Sequence, residues 1–355
     1  MSPSEPTIPA HFSMAVLDGL GESLKVLEVS RASHLEAGQV FVRLIKSGAC
    51  ASQLHEIDGR KGPDKYLPHT LGHEGVGEVV EVGPGVTKIS QGDTVILHWR
   101  MGEGINASPA KYESEMGIIN AGPVTTFSEF SVVSESRVTK LPDGVSLDVA
   151  PLFGCSLTTG FGSVFHEARV TPGESAVIIG FGGVGIAILK SLQLVSAGPI
   201  AVFDVDEDKI ELALAMGADF AQCVEPSETG LSEKAISLLE KKPNVVFEVT
   251  GQRHVIEQGF DMVDDSGRTV LVGVPHASDP ASLPTLPLHL GKRLIGSHGG
   301  SSNPDQDIPR LASLVRAEHL NLGDIPLTSF PLSQINTALD SMRAGNVGRT
   351  VISMD

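Results

Sequence analysis

Apolar positions along the chain follow two different rhythms. Residues 12–150 carry short β-branched and aromatic runs broken by glycine and proline: GQVFVRLIKSGA, GVGEVVEVG, GDTVILHW and FSEFSVVS. Such runs predict strands, and the scarcity of helical periodicity predicts a mostly antiparallel β half. The polar, glycine-rich stretch 100–122, RMGEGINASPAKYESEMGIINAG, predicts a long loop. From residue 170 continuous apolar runs alternate with amphipathic ones. ESAVIIG, IAVFDV, DFAQCV, NVVFEVT, RTVLVGV and RLIGSHG read as six strands, with helices over 183–198, 207–218 and 232–242. That alternation predicts a parallel sheet covered on both faces, an α/β fold. The tail offers two helical pieces, IPRLASLVRAEH and SQINTALDSMRAG, and a last strand, GRTVISM, expected to return to the first half.

The first strand of the second half runs into a glycine loop. Gly180, Gly182 and Gly185 fit G-x-G-x-x-G, with Gly183 and Val184 between them, and Asp204 ends the next strand nineteen residues past Gly185. Strand, loop, helix and distant carboxylate together make a dinucleotide fingerprint. The glycines let a pyrophosphate approach the helix N-terminus, and the carboxylate accepts from the adenosine ribose hydroxyls. A carboxylate there repels a 2′-phosphate, which favours NAD over NADP. Considered alone, the loop also suits FAD or S-adenosylmethionine.

Composition narrows the partners. With 355 residues, two domains are the natural expectation. A net charge of -17 and 5% aromatic residues argue against nucleic acid or an anionic membrane surface. The first ten residues, with three prolines, read as a loose arm; no basic-then-apolar leader is seen, and no apolar run reaches membrane-spanning length. Three cysteines make no disulfide framework. The expectation is a cytoplasmic protein.

Those cysteines are the more informative for being few. Cys50 in SGACASQLH and Cys155 in FGCSLTTGFG, with His73 in LGHEG, supply two thiols and an imidazole, the set a catalytic zinc takes while leaving a fourth position open. Their spacing is long and is no signature; each alone reads as readily as a buried cysteine or a core histidine. A metal beside a nicotinamide site means hydride chemistry on an alcohol or carbonyl.

Several segments in order resemble the zinc-dependent medium-chain alcohol dehydrogenases, from about residue 15 to the end. GHEGVGEVVEVGPGVTKISQGDTVI is similar to the family's histidine-ligand segment, LFGCSLTTGFGSV to its second cysteine segment, and FEVTG, LVGVP and GRTVI to later landmarks. The resemblance implies a GroES-like, mostly β catalytic domain over 1–156 and 299–355. It also implies a Rossmann domain, a doubly wound six-stranded parallel sheet, over 157–298. It makes Cys50, His73 and Cys155 ligands of one catalytic zinc and Glu74 a carboxylate assisting ligand exchange. Ser52 is then the hydroxyl at the substrate oxygen, His55 the end of a proton relay, and Thr159 a residue packed on the nicotinamide. Arg349 becomes a cation for the cofactor pyrophosphate, and the protein a homodimer or homotetramer. An exposed edge at RLIGSHG suits such pairing.

Departures are as telling. Residues 98–126 hold no cysteine, so the structural zinc common in the family is expected to be absent. Gln53 stands where an aspartate often orients the histidine ligand; its amide is expected to accept the ring N–H without carrying charge. Ala51 replaces a frequent pyrophosphate-binding cation. Trp99 takes the place of an aromatic pocket wall. Arg100 beside it reads either as an anchor for a polar or anionic substrate, sugar-derived or phosphorylated, or as a solvated loop cation. Lys111 and Tyr112 fall in the same expected loop, and His98 reads as pocket lining or as an ordinary strand residue. Alternatives are a zinc-free quinone or enoyl reductase of the same fold, and a non-enzymatic cofactor-binding protein.

Overall fold

A computed structural model describes residues 9–276, 278–345 and 347–354. Eight of the ten residues read as a loose arm lie outside the described residues. Among the described residues, no helix is long and apolar enough to cross a membrane.

The longest strand, Gln39–Ala49, organises the first half. Its neighbours Gly75–Val82, Phe130–Ser134 and Arg349–Ser353 all run antiparallel to it. Ser47 lies opposite Gly75, and the Gly48 N–H donates to the Glu74 carbonyl at 3.0 Å. The end of one strand, leading to Cys50, is thereby set beside the start of its partner, which follows His73 and Glu74. The last strand of the chain joins this sheet as expected, in parallel with Leu327–Pro331, a strand the sequence reading did not identify.

A small closed barrel adjoins it, and here the expected long loop is corrected. Lys111–Ser114 and Gly117–Asn120 form a hairpin in the barrel wall. Tyr112 and Ile119 point inward and are fully buried, while Lys111 and Glu113 face out. The Tyr112 hydroxyl accepts the Val132 N–H at 2.8 Å, and its ring meets Phe12 edge-on at 5.9 Å. Four-residue strands give only two inward side chains each, too little alternation to register among flanking glycines.

The second half forms the expected six-stranded sheet, all pairs parallel. Its order runs Phe220–Cys223, Ile200–Asp204, Ala176–Ile179, Val245–Glu248, Arg268–Leu271, Arg293–Gly296, with RLIGSHG at the edge. The order reverses between Ala176–Ile179 and Val245–Glu248, and ligands bind such sheets at the carboxyl ends beside that switch point. The helix Gly183–Leu194 begins there.

The segment between the halves is a run of 3-10 helix, Ala150–Gly154, α-helix, Ser156–Gly162, and π-helix, Ser163–Ala168. Its Phe153, Leu157, Phe161 and Val164 share one apolar core with Val76 and Ile96 of the β half. The same core takes in Ile178 and Val202 of the parallel sheet, Ile186 of the helix Gly183–Leu194, and Ile308 and Leu311 of the helix Pro304–Arg316.

Candidate active site

Two sharp junctions carry the thiols. Cys50 caps the helix Ala51–Ile57 directly after the long strand, and Cys155 sits at the break between the 3-10 turn and the helix Ser156–Gly162. Both approach Glu74 through glycine. A Cβ on Gly48 would lie 2.6 Å from the Glu74 carboxyl carbon. One on Gly154 would lie 2.2 Å from the Leu97 carbonyl and 3.0 Å from the Glu74 Cβ. Only a residue without a side chain lets both backbones close around this buried carboxylate.

The result is that one ligand atom each from Cys50, His73 and Cys155 lie within 4.8 Å of one another. The electrostatics suit a cation. A hydrogen bond from Cys155, aided by the His73 ring, holds the Cys50 thiol well below its usual pKa. The Cys155 thiol is pushed well above its own by its bond to Cys50 and by burial. Nε2 of His73 and Oε2 of Glu74 are buried with no hydrogen-bond partner. Two thiols and an imidazole gathered this closely are the donor set of a tetrahedral zinc.

Glu74 is fully buried, and burial raises its pKa although Arg349 pulls the other way. Its other oxygen accepts from the Arg349 guanidinium, itself only 6% exposed. The sequence reading placed Arg349 at the pyrophosphate alone. The structure ties it to Glu74 as well, while setting its side chain against Gly183, where an added Cβ would meet it at 2.4 Å.

Gln53 is a correction. Its Oε1 accepts the Cys50 backbone N–H at 2.8 Å, and its Nε2 lies 2.5 Å from Nδ1 of His73. The oxygen expected to receive the ring proton is already engaged by the cap of its own helix.

Ser52 and His55, on the same helix, line a cleft of about 360 Å³ with Thr250, Gly251, Val274 and Pro275 from the carboxyl edge of the parallel sheet. The Ser52 hydroxyl is buried without a partner, as a group awaiting a ligand would be. Burial, then the nearby Arg60, lowers the His55 pKa. Thr159 is buried one turn past Cys155, its N–H donating to the Cys155 carbonyl at 2.9 Å.

A second, smaller recess of about 90 Å³ holds Gly180 and Asp204 together. A Cβ on Gly185 would lie 2.3 Å from the Gly180 carbonyl, whereas one on Gly182 would project into open space, the side left for a ligand. Val184 follows Gly183 in the first turn of the helix. Asp204 accepts the Phe181 N–H at 2.5 Å and the Asp206 N–H at 3.1 Å. The Lys209 ammonium lies 4.0 Å from Asp204 and 3.7 Å from Asp206, a neighbour the sequence reading did not single out. Its place on the first turn of an ordinary amphipathic helix disguises it.

Trp99 adjoins the segment that leads into Cys155, and Arg100 follows it. The Trp99 N–H donates to the Gly154 carbonyl at 3.4 Å, and its ring meets His298 edge-on at 5.1 Å. Arg100 donates to Nδ1 of His298 at 2.5 Å and to the Ser302 carbonyl at 3.3 Å. Among the described residues Arg100 has no carboxylate partner. His298, nearly two hundred residues away in sequence, carried no signal of this contact. His98, by contrast, is a core histidine. It bonds to the Arg100 carbonyl at 2.7 Å and to Thr139 at 3.0 Å, and burial pushes it down to about 4.

Glu56, Asp64 and His69 form a second gathering of ligand-type groups. They satisfy one another and their neighbours: His69 bonds to Asp64 at 2.8 Å and to the Thr70 carbonyl at 3.0 Å, and Glu56 pairs with Lys61 at 2.8 Å.

Known proteins resemble this chain in both of its halves. The family described as "Alcohol dehydrogenase GroES-like domain" matches residues 36–143, and that described as "Zinc-binding dehydrogenase" matches residues 183–317. S-(hydroxymethyl)glutathione dehydrogenase of Synechocystis sp. is 28% identical over 366 residues, covering 95% of this chain and 98% of the relative. Benzyl alcohol dehydrogenase from Acinetobacter calcoaceticus superposes with a TM-score of 0.86 at 23% identity, over 97% of this chain and 99% of that one. Acetophenone reductase from Geotrichum candidum, solved in complex with NAD, gives 0.79 at 20% identity over 98% of both chains. At these identities the two solved structures establish a shared fold.

Proposed function

The chain belongs to the zinc-dependent medium-chain alcohol dehydrogenase family, and on that footing we propose that Cys50, His73 and Cys155 hold its catalytic zinc. The protein is an oxidoreductase that moves hydride between NAD(H) and an alcohol or carbonyl compound. The observation that carries the site assignment is the convergence of two thiols and an imidazole within 4.8 Å, next to the helix whose Ser52 and His55 line a cleft with Thr250 and Gly251 of the parallel-sheet half.

When bound, zinc polarises the substrate oxygen and NAD takes or gives the hydride. The chain's own groups do the rest. Ser52 stands at the substrate oxygen and exchanges its proton, and His55 carries that proton toward solvent along the cleft they share. Glu74 keeps a negative charge behind the thiols, and Arg349 holds it in place. Thr159 supports the nicotinamide face, and Gly180, Gly182, Gly183, Val184 and Gly185 leave the pyrophosphate its path to the helix N-terminus. Metal analysis of purified protein tests the assignment directly: about one zinc per chain is expected, lost in Cys50→Ala. A zinc-free quinone or enoyl reductase would have no use for this ligand set.

Asp204 and Lys209 suit the two hydroxyls of the adenosine ribose. Asp204→Ser removes the carboxylate that repels a 2′-phosphate and leaves Lys209 to attract one. The ratio of kcat/KM for NAD over NADP is expected to fall by about 10–100-fold, the range of a charge-assisted hydrogen bond. An unchanged ratio would remove Asp204 from cofactor selection.

We read the substrate as polar or anionic, with Arg100 as its anchor. Among the described residues Arg100 is a cation with no carboxylate partner, set beside Trp99, and the substrate named for the Synechocystis relative is a glutathione adduct, itself an anion. Arg100→Ala is expected to raise KM for anionic alcohols by about tenfold or more and to leave neutral aromatic alcohols within about threefold. Equal effects on both classes would make Arg100 a structural residue.

A further inference from the structure

Gln53 can meet His73 in only one way. The Cys50 backbone N–H is an obligate donor, and at 2.8 Å it takes Oε1 of Gln53 as its acceptor. That fixes which end of the amide faces the ring. The NH2 group, also an obligate donor, is the atom 2.5 Å from Nδ1 of His73. Nδ1 must therefore be the accepting nitrogen, and the proton of a neutral imidazole sits on Nε2. A doubly protonated ring would set N–H against N–H at 2.5 Å. Yet Nε2 is the ring nitrogen left buried and unpartnered on the side of the thiols, and a metal needs its lone pair.

We propose that Gln53 is a positioning residue that gates metal loading through the tautomer of His73. The helix cap and the metal ligand compete for one amide oxygen. For Nε2 to bind a metal, the proton must move to Nδ1, and the Gln53 amide must turn over to accept it, releasing the Cys50 N–H. A carboxylate at this position accepts from both donors at once and has no such conflict. The usual supporting partner of a metal-bound histidine strengthens binding, and its loss costs about 10–100-fold in affinity. Here the resident amide works in the opposite direction. The inference rests on Cys50, His73 and Cys155 being the metal ligands.

The ring proton can be located directly. Protein freed of metal by a chelator and examined by two-bond 15N–1H correlation, with His73 identified against His73→Gln, is expected to show the Nε2–H tautomer. An Nδ1–H signal, alone or with Nε2–H, overturns the proposal whatever the variants do. Zinc affinity, measured by chelator competition, supplies a second arm. Gln53→Glu is expected to bind zinc about tenfold or more tightly than wild type and to show Nδ1–H before loading. Gln53→Leu, which removes donor and acceptor together, is expected to stay within about threefold of wild type. A loss of tenfold or more in Gln53→Leu would make Gln53 an ordinary supporting acceptor and sink the idea. Should none of these proteins bind zinc, the ligand assignment itself falls, and the proposal with it.

Discussion

Cys50→Ala protein is expected to lose at least about 10³-fold in kcat/KM while binding NADH within about threefold of wild type. Single donors that stabilise developing charge are worth about 10²–10³ in turnover, and this change removes the anchor of a whole cation. The thiol is also the group most committed to the charged form before any metal arrives, because Cys155 and His73 both favour its thiolate. Alanine leaves Cys155 without its bonded partner and with no second sulfur beside it, a poor remnant of a site. The dinucleotide loop lies on another element, so fluorescence titration with NADH should be almost unmoved. Turnover near the wild-type level in metal-free Cys50→Ala would overturn the zinc mechanism. Loss of NADH binding as well would mean the fold, not the chemistry, had failed.

Arg349→Met is expected to destabilise the protein by about 3–5 kcal/mol, the cost of stranding one partner of a buried ion pair. Glu74 has no exposed surface, and among the described residues Arg349 is the charged side chain that hydrogen-bonds to it. Adding Glu74→Gln should recover at least half of that loss, because the stranded charge goes with it. Affinity for NAD should behave differently. If the guanidinium against Gly183 also meets the pyrophosphate, the single and double variants bind NAD about equally weakly, roughly tenfold below wild type. Thermal melts and cofactor titrations on the same three proteins separate the two roles. A melting temperature unchanged in Arg349→Met would show that the pair contributes nothing to the fold.

The parallel sheet was legible because its strands are continuous apolar runs and its loop carries three glycines at fixed spacing; its boundaries moved by only a few residues. Cys50, His73 and Cys155 were legible less from spacing than from their surroundings, and Gly48 and Gly154 now give those surroundings a reason. What stayed hidden depends on contacts made only after folding. Tyr112 was taken for a loop residue because its strand offers too few inward positions to show a period. The conflict at Gln53 needs the direction of a backbone N–H, which no residue type announces. His298 beside Arg100 and Arg349 against Gly183 are meetings of segments more than one hundred and sixty residues apart.

The apolar core shared by Phe153, Phe161, Ile178 and Leu311 ignores the divide between the two sheets. Neither half can then be cut out as a self-sufficient cassette: a fragment ending near residue 156 would expose Val76 and Ile96, and one beginning there would lose the far wall of its own interior. Recombining halves from distant relatives should for the same reason fail at this seam unless the 150–168 segment and the helix Pro304–Arg316 travel with the nucleotide-binding sheet.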